Sequence, residues 1–357
     1  MTWLARVATV SRDNSANTMK IAVVIPCYRV HAHIIDVIGR IGPCVTSIYA
    51  VDDACPEKSG DLIARTIRDP RVRVLRHEFN QGVGGAVMTG YRAALADGAD
   101  IVVKIDGDGQ MDPALVPRFV RPIAEGYADY TKGNRFFDVA SVRPMPAVRL
   151  IGNAGLSFLS KLSTGYWDVF DPANGFTAIH RGVLAALPLE KISSRYFFES
   201  DMLFRLGTLR ARVLDIPMRA VYGDEKSGLR VRHAAAEFGI KHLRNLSKRI
   251  FYNYFLRNFS FASIELILGI LLLAFGFIFG GWKWIESASS GVTASAGTVM
   301  IAGVSIILGL QFLLAFLSFD MSSTPKDSVW RSLWLDPEQE DMSLLRMQDQ
   351  EKAPGKL

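Results

Sequence analysis

The stretch VVKIDGDGQMDP, residues 102 to 113, passes from an apolar run into three aspartates separated by glycines. Asp106 and Asp108, one residue apart, offer oxygen ligands to a hard divalent cation such as Mg²⁺ or Mn²⁺, which proteins often bind through one or two carboxylates plus substrate phosphates. The glycines permit a tight turn between them. Helix capping is the alternative role, and it suits Asp112 better because Pro113 is a favoured first helical residue. An Asp-x-Asp pattern alone leaves both roles open.

Apolar, β-branched runs separated by helix-compatible segments predict the sheet to which this stretch belongs. The runs are KIAVVIP at 20–26, VTSIYAVDD at 45–53, RVRVLRH at 71–77 and DIVVKID at 100–106. Their alternation with helices predicts an α/β domain with a mostly parallel sheet over residues 20–235. Acidic pairs follow two of the runs. Because open α/β sheets bind ligands at the carboxyl ends of their strands, we expect the functional site at that edge.

The composition narrows the class of protein. The chain is 49% hydrophobic, and its net charge of +6 combines 41 basic with 35 acidic residues, which excludes a polycation built to coat nucleic acid. Cys27, Cys44 and Cys55 are odd in number and lack paired metal spacing, which favours reduced thiols in the cytoplasm. Residues 1–19 lack the apolar core and cleavage site of a secretory signal, so we assign them to an N-terminal extension.

The last third of the chain carries two long apolar segments. The only charge from Phe261 to Gly281 is Glu265, and no charge occurs from Thr298 to Phe319, whereas a spanning helix needs about 20 such residues. We therefore predict transmembrane helices at 259–281 and 298–319. The alternative is a pair of buried helices in a soluble bundle, which would normally show a polar stripe.

Charges beside these segments predict their orientation. Basic residues crowd an amphipathic juxtamembrane helix predicted at 236–258, and others lie in the tail, 320–357. The connecting loop, 282–297, has few charges. By the positive-inside bias the loop is extracytoplasmic, and the catalytic domain and both termini lie on the cytoplasmic side of the inner membrane.

Several ordered motifs resemble one enzyme family. IPCYRV, VDDACPEKSGD, NQGVGGAVMTGY and DGDGQMDP resemble, in order and spacing, the family-2 glycosyltransferases with a GT-A fold. KGNRF and DPANGFTAIHR resemble two later motifs of that family. With two C-terminal spans, the chain is most similar to the polyprenyl-phosphate group, which includes dolichyl-phosphate mannosyltransferase and undecaprenyl-phosphate glucosyltransferases. The resemblance covers roughly residues 20 to 325.

The resemblance implies a donor site for a nucleotide-sugar. Asp53, together with Asp52, would hold the nucleoside, and Pro26 and Tyr28 would line its pocket. Asp106 and Asp108 would bind the Mg²⁺ or Mn²⁺ that bridges the diphosphate, where a metal stabilises charge on the leaving group.

A glycine-rich segment adds to the predicted donor site. Gly82, Gly84 and Gly85 would let the backbone approach the ligand, with tight packing at a helix N-terminus as the alternative.

The resemblance also implies an acceptor site for a lipid phosphate. Arg135 and Arg149 would contact the phosphate, because a guanidinium donates two parallel hydrogen bonds to phosphate oxygens. Arg149 lies on a predicted interfacial helix, AVRLIGNAGLSFLSKLSTG, although a solvated surface arginine is the alternative reading. A further segment, YGDEKSGLRVRH, supplies three phosphate-facing candidates. They are Lys226, Ser227 and Arg230.

The resemblance places Glu199 and Asp201, in YFFESDMLFRL, where many family-2 enzymes hold an acceptor-side carboxylate. A general base is needed when a sugar hydroxyl attacks, but a lipid phosphate is largely ionised at neutral pH, with a second pKa of about 6. Glu199 would then orient the acceptor or the metal. Nearby Asp201 has an alternative role as a helix N-terminal carboxylate stabilised by the helix dipole.

We predict inverting transfer of a hexose from a UDP- or GDP-linked sugar to a polyprenyl phosphate, for assembly or modification of a cell-envelope glycan. A processive polysaccharide synthase is the nearest alternative, but the Gln-x-x-Arg-Trp motif and extra spans of that class are missing from the sequence. A non-catalytic nucleotide-binding membrane adaptor is the second alternative. The resemblance leaves open a homo-oligomer such as a tetramer.

Overall fold

The computed structural model describes residues 19–137, 147–219 and 231–333, and within them seven strands form one sheet. The strand order is β3-β2-β1-β4-β6-β5-β7. The strands are β1 Ile21–Cys27, β2 Ser47–Asp52, β3 Val72–Arg76, β4 Ile101–Lys104, β5 Tyr130–Asn134, β6 Thr177–His180 and β7 Val213–Pro217. The first four coincide with the four apolar runs.

The sheet is mostly parallel. Only β6 runs against its neighbours β4 and β5, while the remaining pairs of the described strands are parallel. All seven residues of β1 are buried, as expected of a central strand covered on both faces. The predicted fold class, a mostly parallel α/β domain followed by two apolar helices, is confirmed.

Helices connect and cover the strands. In chain order they are α1 Ile34–Gly39, α2 Ser59–Thr66, α3 Val83–Ala96, α4 Val116–Ala124, α5 Ala147–Thr164, α6 Arg181–Ala186, α7 Phe198–Leu209, α8 Val231–Phe251, α9 Phe261–Ser290, α10 Ala296–Ser322 and α11 Trp330–Leu333. A π-helical turn, Tyr252–Arg257, follows α8 directly. The predicted juxtamembrane stretch 236–258 therefore corresponds to most of α8 and this turn.

Two hydrophobic clusters pack on opposite faces of the sheet. Val23 and Ile25 of β1 belong to one cluster, in which Phe119 and Phe176 stack with ring centroids 3.9 Å apart. Val24, on the alternate face, belongs to the other cluster. Successive side chains of a strand point to opposite faces of the sheet, which explains why neighbouring residues of β1 belong to different clusters.

Two helices in the described part, α9 and α10, are long and apolar enough to cross a membrane, each with a mean hydropathy of 2.4. They pack closely through glycines. A Cβ on Gly309 would lie 2.8 Å from the Leu273 backbone nitrogen and 3.1 Å from the Gly269 carbonyl oxygen. Small residues that let backbones approach are typical of helix pairs in membranes.

The first apolar helix continues into residues that we assigned to the connecting loop. Residues 282–290 are helical, and the Lys283 to Glu286 ion pair (2.7 Å) lies on this extension. Ser289 and Ser290 donate hydrogen bonds back to the Glu286 carbonyl at 3.0 and 2.8 Å. The change to polar residues after Gly281 therefore shows where the apolar segment ends, but it does not show where the helix ends. Local hydrogen bonds extend α9 to Ser290.

A buried ion pair joins the α/β domain to the apolar helices. Arg249, near the end of α8, donates to both carboxylate oxygens of Asp320 in α10, at 2.6 and 3.0 Å. Tyr254 donates to the same carboxylate at 2.6 Å, and so does the Trp167 indole at 2.9 Å. Asp320 thus accepts four hydrogen bonds from three residues, two of them in the continuous segment of α8 and its π-helical turn and one after α5, which fixes the junction.

The chain beyond α10 returns to the α/β domain. Buried Asp129 accepts hydrogen bonds from the backbone nitrogens of Val329 (2.9 Å) and Trp330 (2.8 Å), as well as from that of Arg212 (2.7 Å). The Trp330 ring stacks on His180, with centroids 4.1 Å apart. The α/β domain is therefore attached to the apolar helices on both sides of the hairpin.

Candidate active site at the carboxyl edge of the sheet

The candidate site lies where β1, β2 and β4 end. These strands are parallel neighbours, so the loops after them meet at one edge. Gly107 packs against Ile25 of β1, Val30 of the loop that follows and Ile34 of α1, and an added Cβ would lie 3.2 to 3.3 Å from their side-chain atoms. Gly109 has a φ of +77° and lies against His33. The turn between the aspartates therefore needs glycine for both space and backbone conformation.

Lys104 connects two of the predicted catalytic carboxylates. Its ammonium lies 2.8 Å from Asp106 Oδ1 and 3.1 Å from Glu199 Oε1, although these acids are far apart in the sequence. Lys104 is fully buried as the last residue of β4, and Glu199 is in the first turn of α7. The structure thus brings Asp106 and Glu199 together through a lysine that the sequence analysis did not consider, and the roles of both carboxylates remain predictions.

The two carboxylates hold Lys104 in its charged form. Burial alone would lower the pKa of this ammonium, but the adjacent Asp106 and Glu199 carboxylates outweigh burial and raise the pKa above its usual value. The cation therefore acts as a fixed positive charge that positions both acids. A lysine inside an otherwise apolar strand was the sequence signal for this role, since lysines are rarely buried without partners.

Gly175, from the DPANGF motif, lies directly over this pair. A Cβ at this position would clash with Asp106 Oδ2 and with the Lys104 ammonium. The glycine therefore lets the backbone of this motif pack directly against the Asp106 carboxylate and the Lys104 ammonium. Any larger residue would displace the carboxylate.

Two roles, metal ligand and helix cap, were left open for the aspartates of this turn, and the contacts of Asp108 and Asp112 differ accordingly. Asp112 accepts a hydrogen bond from the Ala114 backbone nitrogen at 3.1 Å and pairs with Arg40 at 2.7 Å, which confirms the capping role. Asp108 accepts a hydrogen bond from the Gln110 nitrogen at 3.0 Å within its own turn and is partly exposed. Asp108 therefore remains accessible from the site.

The donor set suits a divalent cation that is shared with a substrate. No group of three or more His, Cys, Asp or Glu residues able to hold a metal occurs within residues 19–137, 147–219 and 231–333. Asp106 and Asp108 offer carboxylate oxygens at this edge, and both residues are partly exposed. Two carboxylates with phosphate oxygens completing the shell is the usual arrangement for Mg²⁺, so these residues fit the predicted metal.

The predicted nucleoside-binding aspartates are engaged with their own loops. Asp53 accepts hydrogen bonds from the Gln81 and Gly82 nitrogens, both at 2.8 Å, and its Oδ1 lies 2.7 Å from His77 Nδ1. Asp52 accepts from the nitrogens of Cys55 and Gly60, at 2.8 and 2.7 Å. Both carboxylates are buried. The structure therefore shows Asp52 and Asp53 ordering the loops, and nucleoside contact remains a prediction.

The other predicted donor residues lie around this loop edge. Pro26 is buried within β1, whereas Tyr28 is exposed beyond the strand. Gly82 has a φ of +88°. A Cβ added at this position would lie 2.6 Å from the Ser194 carbonyl oxygen. Gly84 contacts the Ser193 carbonyl and Gly85 contacts the Gln81 side chain. These contacts match tight packing at the start of α3, the alternative that we kept open for the glycines.

On the predicted acceptor side, Arg135 forms a bidentate ion pair. Its Nε and Nη2 donate to the two oxygens of Asp171 at 2.7 and 3.0 Å. The Asp171 side chain is buried, and Asn174 also contacts it. This pair joins the end of β5 to the DPANGF motif. Arg149 is in α5, but its side chain is outside the described part, and so are Lys226, Ser227 and Arg230.

A second buried lysine lies beneath this edge. Lys132 of β5 is fully buried and donates to the Asn174 carbonyl oxygen. Burial lowers its pKa to about 8, although the nearby Glu199 and Asp171 oppose this shift. Asp215, its register partner on β7, has its pKa raised to about 6 by burial. Asp215 Oδ1 has no hydrogen-bond partner among the described residues. The sequence analysis considered neither residue.

Comparisons with known proteins identify the family. The model of glycosyl transferase family 2 matches residues 22–187. An undecaprenyl-phosphate mannosyltransferase from Micrococcus luteus is 30% identical over 207 residues, which cover 57% of this chain and 84% of that protein. The chain belongs to glycosyl transferase family 2. The family predicted from the motifs is thereby confirmed, and with it the GT-A type of fold.

Further relatives of this family 2 glycosyltransferase are more distant or cover less. A UDP-N-acetylglucosamine–dolichyl-phosphate N-acetylglucosaminyltransferase from Methanococcus voltae is 33% identical over 152 residues, 43% of this chain, but the match spans only 60% of that relative. A solved structure of glucosyl-3-phosphoglycerate synthase from Mycobacterium tuberculosis, bound to Mn²⁺, uridine diphosphate and phosphoglyceric acid, has a TM-score of 0.49 and 20% identity. It covers 65% of this chain and 78% of its own.

The family match covers only part of the site of this glycosyltransferase. Residues 22–187 include β1 to β6, the Asp106–Asp108 turn and Lys104. Glu199 and the apolar helices lie outside that range. The cation–carboxylate cluster is therefore built from the family domain and from a helix, α7, that follows it.

Proposed function

We propose that the protein transfers a sugar from a nucleotide-sugar to a polyprenyl phosphate at a membrane surface. The observation that carries the proposal is the Lys104 cluster. One buried cation holds Asp106 and Glu199 at the carboxyl edge of the sheet. The same chain continues into two apolar helices, and relatives from Micrococcus luteus and Methanococcus voltae are named as transferases to undecaprenyl and dolichyl phosphate.

On the donor side, Asp106 and Asp108 would hold Mg²⁺ or Mn²⁺ against the diphosphate. The metal, when bound, supplies a Lewis acid that stabilises negative charge on the departing nucleoside diphosphate. Lys104 fixes the orientation of Asp106 before substrate arrives, so that little reorganisation is needed. The loops ordered by Asp52 and Asp53 form the wall against which a UDP or GDP moiety would lie.

On the acceptor side, the nucleophile is an oxygen of the lipid phosphate. This oxygen is largely ionised at neutral pH, with a second pKa of about 6, and needs no strong base. Glu199 is suited to orientation, because its Oε1 is already bonded to Lys104. Direct attack on the anomeric carbon displaces the nucleoside diphosphate and inverts the configuration, with no covalent enzyme intermediate.

The proposed side of the membrane for the α/β domain rests on the distribution of basic residues beside the apolar helices. The basic residues of α8 and of the π-helical turn precede the first apolar helix, which favours a cytoplasmic position for the α/β domain. Arg149 on α5 and Arg135 would contact the acceptor phosphate from this side. In the structure Arg135 is already paired with Asp171, so Arg149 is the better candidate for direct contact.

The test uses the purified full-length protein in nanodiscs with radiolabelled UDP- and GDP-sugars. We expect label to enter the organic phase only when polyprenyl phosphate and Mg²⁺ or Mn²⁺ are both present. Growth of a long polymer would instead favour a processive synthase. Nucleotide binding without any turnover across the donor panel would favour a non-catalytic adaptor.

The acceptor assignment has its own variant. Arg149→Ala should raise the KM for polyprenyl phosphate by about tenfold, the loss of one charge-assisted contact, and Arg149→Lys should recover only part of this effect. Nucleotide binding, measured by calorimetry, should be unchanged. Arg65→Ala, at an exposed arginine on α2, is the matched control. An equal loss of nucleotide and lipid affinity in Arg149→Ala would contradict the assignment.

A further inference from the structure

A cavity lies at the junction between the α/β domain and the apolar helices. Its volume is about 410 Å³, within the range of small-ligand pockets. Arg210, Arg249 and Arg257 line it together with one carboxylate, Asp320. Arg210 caps the C-terminal end of α7, whereas Glu199 is at the other end, roughly 16 Å away at 1.5 Å per residue. The cavity is therefore separate from the proposed sugar-transfer site.

One of the three arginines is fully committed to the fold. Arg249 is paired with Asp320 at 2.6 Å and also donates to the Leu162 carbonyl at 2.7 Å. The charges of this pair offset each other. The cavity therefore retains the positive charge of the other two arginines.

Arg210 and Arg257 are available to a ligand. Each donates one hydrogen bond to a backbone carbonyl, Arg210 to Ser323 at 3.1 Å and Arg257 to Thr208 at 2.8 Å. Among the described residues neither has a carboxylate within ion-pair distance, and both are exposed. A guanidinium has five N–H donors, so most of theirs remain for an anion.

The backbone at Arg210 is unusual for an arginine. Its φ of +58° is in the left-handed region, where glycine normally ends a helix and where a larger residue is strained. Keeping an arginine there has a cost in stability, and its side chain lines the cavity. Strain of this kind is often found at binding sites.

An unsatisfied polar atom adds a second requirement for the ligand. Asn253 lines the cavity, and its buried Oδ1 has no hydrogen-bond partner among the described residues. An amide oxygen accepts a hydrogen bond, so a matching ligand carries a hydroxyl or similar donor beside its anionic group. A buried acceptor without a partner is unfavourable, so a ligand that donates to it would stabilise the site.

The position of the cavity indicates where the ligand comes from. Ser260 precedes the first residue of α9, and Ser323 follows the last residue of α10, and both line the cavity. If the apolar pair spans a bilayer, this is the depth of the lipid headgroups. We propose that the cavity binds an anionic phospholipid headgroup, with Arg210 and Arg257 on the phosphate and Asn253 on a headgroup hydroxyl. The proposal requires membrane insertion and is independent of sugar transfer.

The test is lipid retention by the full-length protein. The protein is assembled in nanodiscs of equal phosphatidylcholine and phosphatidylglycerol, released in the gas phase, and its bound lipid is counted by native mass spectrometry. Wild type should retain phosphatidylglycerol selectively. The double variant Arg210→Gly with Arg257→Gln should retain at least tenfold less phosphatidylglycerol, because it removes the charge-assisted hydrogen bonds of both guanidinium groups. Glycine adopts the left-handed conformation of position 210 without strain, so the melting temperature of the double variant should not fall.

Arg244→Gln with Lys248→Gln is the matched control. It removes two charges from exposed positions on α8, outside the cavity. Retention should change less than threefold if the cavity, and not general basic charge, selects the lipid. Equal losses in both double variants, or no preference in wild type, would overturn the proposal. So would displacement of the lipid by millimolar inorganic phosphate, since the site would then bind free phosphate.

Discussion

The protein has two clusters in which a buried cation pairs with carboxylates, one at Arg249 and one at Lys104. They differ in how far their carboxylates are exposed to solvent. At the junction, the Asp320 carboxylate accepts four hydrogen bonds, and the Arg249 and Asp320 side chains are only 4% and 3% exposed. At the sheet edge, Lys104 is equally buried, but its partners Asp106 and Glu199 are 27% and 14% exposed. The first cluster is saturated and holds the fold together. In the second cluster, carboxylate oxygens of Asp106 and Glu199 remain accessible to a ligand, as a binding or catalytic site requires.

The largest expected effect concerns the open cluster and its turn. Asp108→Asn should lower sugar transfer by about a thousandfold, roughly 4 kcal/mol of transition-state stabilisation, because a charged metal ligand becomes neutral at constant volume. The measurement is radiolabel transfer at saturating metal, with the melting temperature checked in parallel. Asp112→Asn is the matched control in the same motif, since Asp112 caps a helix. Near-normal turnover of Asp108→Asn would exclude the metal role.

The next prediction exchanges the central cation of each cluster for glutamine. Arg249→Gln should destabilise the protein by about 3 kcal/mol, because it leaves a buried charge on Asp320 without its partner. Lys104→Gln should cost much less stability, since Asp106 and Glu199 can be hydrated, but it should abolish most activity. Thermal melting in nanodiscs and transfer assays measure the two losses. If both variants lose stability equally and Lys104→Gln stays active, the distinction between the clusters fails.

The smallest expected effect is a pH dependence from Asp215. Because burial raises its pKa to about 6, the native state binds the Asp215 proton more tightly than the unfolded state. This contribution to stability is present at low pH and is lost as the pH rises from about 4 through 6. Asp215→Asn lacks the titration, so its stability relative to wild type should rise by about 2 kcal/mol across that window. Melting curves at several pH values measure it. Asp36→Asn, at an exposed carboxylate, should show no such trend.

The fold was largely predictable because its central strands are strongly patterned. β1, β2 and β4 are continuous apolar runs, which is the sequence signature of buried parallel strands. β5, β6 and β7 were missed because none is a continuous apolar run, and β5 and β7 carry the charged residues Lys132 and Asp215 in the middle of the strand. Charge in a strand normally indicates exposure, and only the three-dimensional arrangement shows that these side chains lie inside.

The candidate site was predictable only in part. Glycine-flanked aspartates made Asp106 and Asp108 metal-ligand candidates, but only together with the other ordered motifs, because the spacing alone also fits helix capping. No local pattern shows that Glu199 reaches Asp106 through Lys104, because the contact spans 95 residues. Likewise, the pairing of Arg135 with Asp171 and the use of Asp53 to order the loop at Gly82 depend on tertiary packing.

The return of the chain to Asp129 has a mechanical consequence. A domain connected to a bilayer by one linker tips freely in every direction, whereas a domain held at two places can rotate only about the line that joins them. Here α8 enters the apolar hairpin, and Val329 and Trp330 fasten its far end to the same domain. If α9 and α10 span a bilayer, the two attachments leave the α/β domain one axis of rotation, and under the proposed function a lipid substrate would meet the Lys104 cluster within a narrow range of depths.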